Sequence, residues 1–335
     1  MELLKDVRQL SSIGYGFMAS KAMFAALDLD LFTSLALHPM QLDDLALDKA
    51  VPASRLQTLM SALCALGLVG RDNDGAYRNS PAADAYLNSA SPSYYGDYFR
   101  FQIDRQIYPH FEHLLPAMRG TPGPRFYELA VDPEETRRFS VAQHVGSLGP
   151  AHILTRRLGS VPWRNVLDVA GGTGAFSITL CRANSEMRAT ILDYPNVCDV
   201  ASAYVEEAGL SDRVAMVPGD ARATEWPAGQ DAVIMSYLLS AVSRDDICDL
   251  LIRAFEALLP GGTLVLHDFM VNDDLDGPTS AALWLLFNVI SDPDAPQLHP
   301  RLLSSAAIDA GFVDPQEFEL LPGITRVVTA RKPAK

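Results

Sequence analysis

Apolar positions along the chain follow two different rhythms. In the first half Phe17, Ala22, Phe24, Leu27 and Leu31 recur at three- and four-residue spacing, which predicts helix. LDDLALDKAVPASRLQTLMSALCALGLV then reads as helix, break at Pro52, helix. VGRDNDGAYRNS follows as two short extended pieces about an Asn-Asp-Gly turn. Helix, helix and hairpin make a winged-helix pattern. From about residue 156 short apolar runs (NVLDVA, ATILDY, VAMVPGD, AVIMSYL, TLVLHDF, TRVVTARK) alternate with helical stretches such as AFSITLCRA and DDICDLLIRAFEALL. That alternation predicts an α/β fold, a doubly wound parallel sheet with helices on both faces. The expected division is a helical domain over 1–155 and a nucleotide-binding domain over 156–335.

A length of 335 residues agrees with two domains. The net charge of −14 argues against nucleic acid as a partner, because phosphate binding is driven by Lys and Arg. The second helix of the winged pattern, residues 53–67, carries one Arg on a largely apolar surface, which suits packing or dimerisation better than DNA. No apolar run approaches the roughly 20 residues of a membrane span, and MELLKDVRQL mixes charges into its apolar residues, unlike a secretory signal. Cys64, Cys181, Cys198 and Cys248 are scattered without a CxxC pair. They read as thiols in a reducing compartment, neither a disulfide frame nor a zinc site. A cytoplasmic protein without a metal is expected.

NVLDVAGGTGAFSITL puts Gly171, Gly172 and Gly174 between a strand and a helix, with Asp168 just before them. There is no GK[ST], so this is not a phosphate-cradling loop. Nineteen residues past Gly174, Asp193 ends the next strand, where an acid suits the two hydroxyls of a ribose. Asp220 in PGDA ends the one after, within reach of an adenine amino group. Three acids at successive strand ends, with no phosphate-binding lysine, favour a nucleoside without a pyrophosphate. S-adenosylmethionine fits. NAD is the rival on spacing, but the third glycine of GxGxxG would fall at Ser177.

LDVAGGTG, DYP, the GDA turn, PGG before the fifth strand and AGF (residues 310–312), in that order after a helical half, resemble the plant-type and bacterial small-molecule O-methyltransferases, the caffeate and hydroxyneurosporene enzymes among them. The resemblance runs through most of the chain. It implies a class I methyltransferase domain with a Rossmann-like sheet, an N-terminal helical dimerisation domain, a homodimer, and S-adenosylmethionine as donor. It assigns Gly171, Gly172 and Gly174 to the methionine end, Asp193 to the ribose, and Asp220 with Ala221 to the adenine. Asp168, Tyr194, Gly219 and Ser236 complete the expected cofactor set.

The catalytic residues transfer poorly. Counting back from EALLPGG puts Ser240 where the plant enzymes hold their histidine base, and Ala241 and Val242 beside it. The two carboxylates that steady that histidine fall on Asp268 and Gln297. One explanation is an acceptor with no proton to lose, a thioether sulfur as in methylthiohydroxybutyrate on the route to dimethylsulfoniopropionate. The SYLLSAV and HDFMVNDD stretches resemble that bacterial branch. Aromatic walls would then hold the new cation, drawn from Tyr94, Tyr95, Tyr98, Phe101, Tyr108, Trp284 and Phe287. Asn288 lies on the same segment as the last two. Asp268 would be a counter-charge, and Arg105 or Arg125 would meet a carboxylate. The alternative is O- or C-methylation of a phenolic or polyketide metabolite with a relocated base, His267 first, His144 or His299 otherwise. His267 and Asp268 point to opposite faces of a strand, so at most one faces the substrate easily. A third reading is decarboxylation or hydroxylation of a polyketide with the cofactor as a structural element, or a DNA-binding regulator. It predicts little methyl turnover.

Overall fold

The computed structural model describes residues 3–124, 132–159, 161–292 and 294–334. The chain forms two compact units, Met1–Pro109 and His110–Lys335. The division lies well before residue 155, because the long helix that precedes the sheet packs with the sheet's own helices.

In the first unit, α1 (Val7–Gly14) begins at a capping box in which Asp6 accepts from the Arg8 and Gln9 N–H groups. α2 (Gly16–Asp28), α3 (Leu31–Leu37), α4 (Leu42–Asp48) and α5 (Ala53–Ala65) follow, then the antiparallel strands β1 (Val69–Arg71) and β2 (Tyr77–Asn79) and α6 (Pro81–Tyr86). Leu27, Leu31, Phe32, Leu56, Met60, Leu63 and Tyr77 form its core. The aromatic stretch 94–108 is wound as a π-helix over Tyr98–Ile107.

The second unit holds a seven-stranded sheet of order β5-β4-β3-β6-β7-β9-β8. Its strands are β3 (Asn165–Val169), β4 (Arg188–Asp193), β5 (Val214–Pro218), β6 (Gln230–Ser236), β7 (Leu258–Asp268), β8 (Val313–Leu321) and β9 (Thr325–Arg331). The first five pair parallel, while β9 joins β7 and β8 antiparallel. The sheet is therefore mixed, where a parallel one was expected. Its helices are α7 (Leu114–Met118), α8 (Pro133–Leu158), α9 (Ala175–Ala183), α10 (Pro195–Glu207), α11 (Arg244–Ala257), α12 (Thr279–Ser291) and α13 (Pro300–Asp309).

Side chains alternate across each strand, so one sequence feeds two cores. Leu167, Val233, Leu264 and Leu266 pack on one face, and Val166, Ile191, Ile234 and Val265 on the other. Chain order reverses between β3 and β6. Their carboxyl ends thus flank a switch point, where such sheets bind ligands.

Candidate active site

A cavity of about 760 Å³ opens at that switch point. The loops after β3, β4, β5 and β6 bring Asp168, Gly171, Gly172, Asp193, Tyr194, Gly219, Asp220, Ala221 and Ser236 to it. Every strand-end residue expected at the cofactor is thus in one cavity, save Gly174, which sits behind the wall as the residue that starts α9.

The glycine loop is shaped by what surrounds it. Gly174 has φ +79°, and a Cβ there would lie 2.5 Å from Ile191 Cδ1. A Cβ on Gly171 would fall 2.7 Å from Asp168 Cγ, so a bare backbone is required against that carboxylate. Asp168 shares the face of Val166 and is buried. Its Oδ2 accepts from Ser177 Oγ at 2.7 Å, while Oδ1 has no partner. Burial pushes its carboxyl up to about 6. Asp193 Oδ2 accepts from Gly172 N at 2.8 Å and Oδ1 from Tyr194 N at 2.7 Å. Burial also raises this carboxyl to about 6, against the pull of those two N–H groups. Asp220 is a paired acid: Arg222 donates Nε to Oδ1 at 3.0 Å and Nη2 to Oδ2 at 2.8 Å. The guanidinium holds its carboxyl below the usual range.

The expected catalytic residues do not line the cavity. His267 shares the sheet face of Val265 but is buried behind the wall, between Ser236 Oγ (2.8 Å from Nδ1) and Thr325 Oγ1 (3.0 Å from Nε2). Burial holds its pKa down at about 3, so it is a neutral structural imidazole. Asp268 points the opposite way and closes the short turn Leu239–Ala241. It accepts from Ser240 N at 3.0 Å and from Phe269 N at 2.8 Å. Ser240 is as buried as Asp268, which it hydrogen-bonds through its side chain as well. Gln297 is exposed. His144 meets Thr173 Oγ1 at 2.7 Å and stacks on Tyr204 at 3.9 Å. Burial lowers its pKa to about 4. His299 caps α13 and pairs with Asp273 at 3.0 Å. None of these is a free base in the cavity.

The expected acceptor-binding residues also fall elsewhere. Trp284 stacks on Phe269 at 4.3 Å within the core, and Asn288 is buried on the same helix. Tyr94, Tyr98, Arg105 and Tyr108 belong to the first unit. There Tyr94 donates to Asp97 at 3.0 Å and Tyr98 packs on Tyr95 at 4.9 Å. Arg105 pairs with Asp28 at 2.9 Å, and Lys21 stands 4.3 Å from the Tyr108 ring centre. Arg125 lies outside the described residues. What the pattern reading missed includes much of the opposite wall: Ser140, Gln143 and Ser147 on one face of α8, Pro122–Gly123, Tyr237, and Ser291–Asp292 at the end of α12. A polar stripe at i, i+3 and i+7 on α8 was the available signal. Tyr237 holds φ +58°, a conformation a bulky residue rarely keeps away from a functional site.

A doubly wound sheet with acids at three successive strand ends around a glycine loop defines a nucleoside-binding site. The chain belongs to the O-methyltransferase family: the model of its O-methyltransferase domain matches residues 112–312, and that of the O-methyltransferase dimerisation domain matches residues 12–89. It is a methyltransferase, and the donor of this family is S-adenosylmethionine. The chain is 30% identical to the tetracenomycin polyketide synthesis 8-O-methyl transferase TcmO of Streptomyces glaucescens, over 92% of this chain and 91% of that one. It is 29% identical to the 3-hydroxy-5-methyl-1-naphthoate 3-O-methyltransferase of Streptomyces sahachiroi, over 82% and 80%. The human N-acetylserotonin methyltransferase, solved with SAM, shares the fold with a TM-score of 0.86 at 22% identity, over 99% of this chain and 100% of that one.

The cavity fits such a donor. The unpartnered Asp168 Oδ1 suits a cationic ligand, and the bare backbone at Gly171 leaves room for one to approach. No helix among the described residues is long and apolar enough to cross a membrane.

Proposed function

We propose that this methyltransferase transfers a methyl group from S-adenosylmethionine to a hydroxyl oxygen of an aromatic, polyketide-type small molecule. The observation that carries the reading is the 30% identity, over 92% of this chain, with a polyketide 8-O-methyl transferase, supported by a cavity that gathers Asp168, Asp193 and Asp220. Asp193 takes the ribose hydroxyls, with its two oxygens already oriented by backbone N–H groups. Asp168 faces the cationic methionine end, along Gly171 and Gly172. Asp220, clamped by Arg222, and Ala221 border the adenine, with Tyr194 and Gly219 beside them. The bound donor supplies a methyl group already activated on sulfur. The protein then contributes position and the exclusion of water.

The expected thioether acceptor finds no support in the relatives, and the cavity offers it little. A small hydroxy acid needs a cation for its carboxylate. Among the described lining residues the cation is Arg222, already committed to Asp220. A hydroxylated aromatic acceptor meets instead the polar stripe Ser140, Gln143, Ser147 and the hydroxyl of Ser291. The test is an acceptor screen with methyl-labelled S-adenosylmethionine, running hydroxynaphthoates and phenolic polyketides against thioethers. Label on an aromatic hydroxyl is expected. Label on a thioether alone, or on ring carbon alone, would overturn the oxygen assignment.

We further propose that the enzyme is a homodimer built through its first unit. α1 buries none of its residues within the chain, and Val7, Leu10 and Ile13 leave its apolar stripe in solvent. The match to a dimerisation domain over residues 12–89 supports the same reading.

A further inference from the structure

Three histidines each touch a hydroxyl on the cavity wall: His144 on Thr173, His267 on Ser236, and His110 on Ser291. The first two hydroxyls sit on strand-end loops that serve the cofactor; His267 is sealed in the sheet's packing and His144 is stacked on Tyr204 of α10. Ser291 is different. It ends α12, on a stretch of wall that no strand end supplies, beside Pro122 and Gly123. Gly123 N donates to Ile290 O at 2.8 Å, which fixes that loop against the end of the helix. His110 Nε2 lies 3.0 Å from Ser291 Oγ. The ring is held edge-on by Phe287 at 5.3 Å.

We propose that Ser291 and His110 form the proton relay of this enzyme, with Ser291 Oγ as the group that meets the acceptor hydroxyl. The inference rests on the oxygen-methylation reading. As the acceptor oxygen bonds to the methyl carbon, the sulfur–carbon bond breaks and its electron pair stays on sulfur. The acceptor proton passes to Ser291 Oγ, the serine's own proton passes to His110 Nε2, and the imidazolium later returns it to water. A phenol of ordinary pKa near 10 is mostly protonated at neutral pH, so such a relay answers a need that Ser240 and Asp268 cannot meet. Burial, with help from His113, holds His110 below the usual imidazole range. It is therefore neutral and able to accept at pH 7. Among the described residues, the charged and titratable groups near the pair include His113, Glu112 (3.4 Å from His113) and Asp292, which follows Ser291 on the wall.

Two measurements test it. The first needs no acceptor: nitrogen-15 spectra of the histidine rings in the intact enzyme. The relay expects His110 with Nε2 unprotonated at pH 7 and that resonance displaced in Ser291→Ala. A proton resident on Nε2 overturns it. The second uses the acceptor found in the screen. The wild-type kcat should fall on an acid limb that lies below the usual imidazole range, and His110→Gln and Ser291→Ala should each lower kcat about 10²-fold, with KM for the donor unchanged. In His110→Gln the limb should vanish, while Asp292→Asn should keep it. A limb that survives His110→Gln, or one removed by Asp292→Asn, overturns the relay. If the screen yields no hydroxyl acceptor, the oxygen reading fails by itself, and the ring spectra still report on the pair.

Discussion

Asp193 shows how much a single residue can disclose. Its place, one strand and nineteen positions past the last loop glycine, is legible because strand-end acids follow from topology alone. Its energetics are not, since burial and two backbone donors act together on one carboxyl. Asp193→Ala should weaken cofactor binding by about 1.5–3 kcal/mol, the range for charged hydrogen bonds. Calorimetry that finds unchanged affinity would remove the ribose assignment. A pH effect follows as well. Burial raises the Asp193 carboxyl to about 6 in the free enzyme, so it is protonated only below that pH, and the proposed ribose contact uses the carboxylate. Binding must then displace a proton below pH 6, so affinity should decline toward pH 5, by up to about tenfold per unit. Asp193→Asn should make that slope shallower in the same titration, leaving the part due to Asp168, which burial also raises to about 6.

His267 and Asp268 show the limit of such reading. Alternation along β7 correctly puts them on opposite faces, yet whether either face is a cavity depends on elements far away in sequence. Thr325 on β9 and the turn at Ser240 supply the partners that bury them.

At the level of elements, the strand–loop–helix unit from β3 to α9 is written locally and was read correctly. The wall formed by α8, α12 and Pro122–Gly123 was not, because a helix pattern shows which face is apolar but not which ligand the other face meets. α8 is tied to the glycine loop by the His144–Thr173 contact, so the cofactor loop depends on a helix outside the nucleotide-binding signature. The turn into α9 is left-handed at Gly174 and closely packed on Ile191. Gly174→Ala should destabilise the fold by about 1–3 kcal/mol, from a left-handed backbone penalty of about 1–2 kcal/mol plus the overlap with Ile191. Thermal unfolding of the cofactor-free protein measures it. A midpoint equal to wild type would mean the loop relaxes without cost.

For the whole molecule, the open question of pattern reading is where the first helix puts its apolar side. Val7, Leu10 and Ile13 are 71%, 59% and 70% exposed, and Phe17 and Met18 continue the patch at the start of α2. Exposed apolar area on this scale marks an interaction site rather than a solvated surface. A second copy of the chain is the partner consistent with the dimerisation-domain match. Two such faces brought together remove apolar surface at roughly 25 cal/mol per Å², whereas a buried aspartate on each would leave unpaired charge in the contact. Sedimentation of the wild type at micromolar concentration should therefore give a dimer, and Leu10→Asp with Ile13→Asp should shift it to monomer. The second unit carries its own core and all the described residues that line the proposed cofactor cavity, so the variant should still bind S-adenosylmethionine with affinity close to wild type. A dimer that survives both substitutions would move the interface away from α1, and a monomer that lost cofactor affinity would show that association shapes the site.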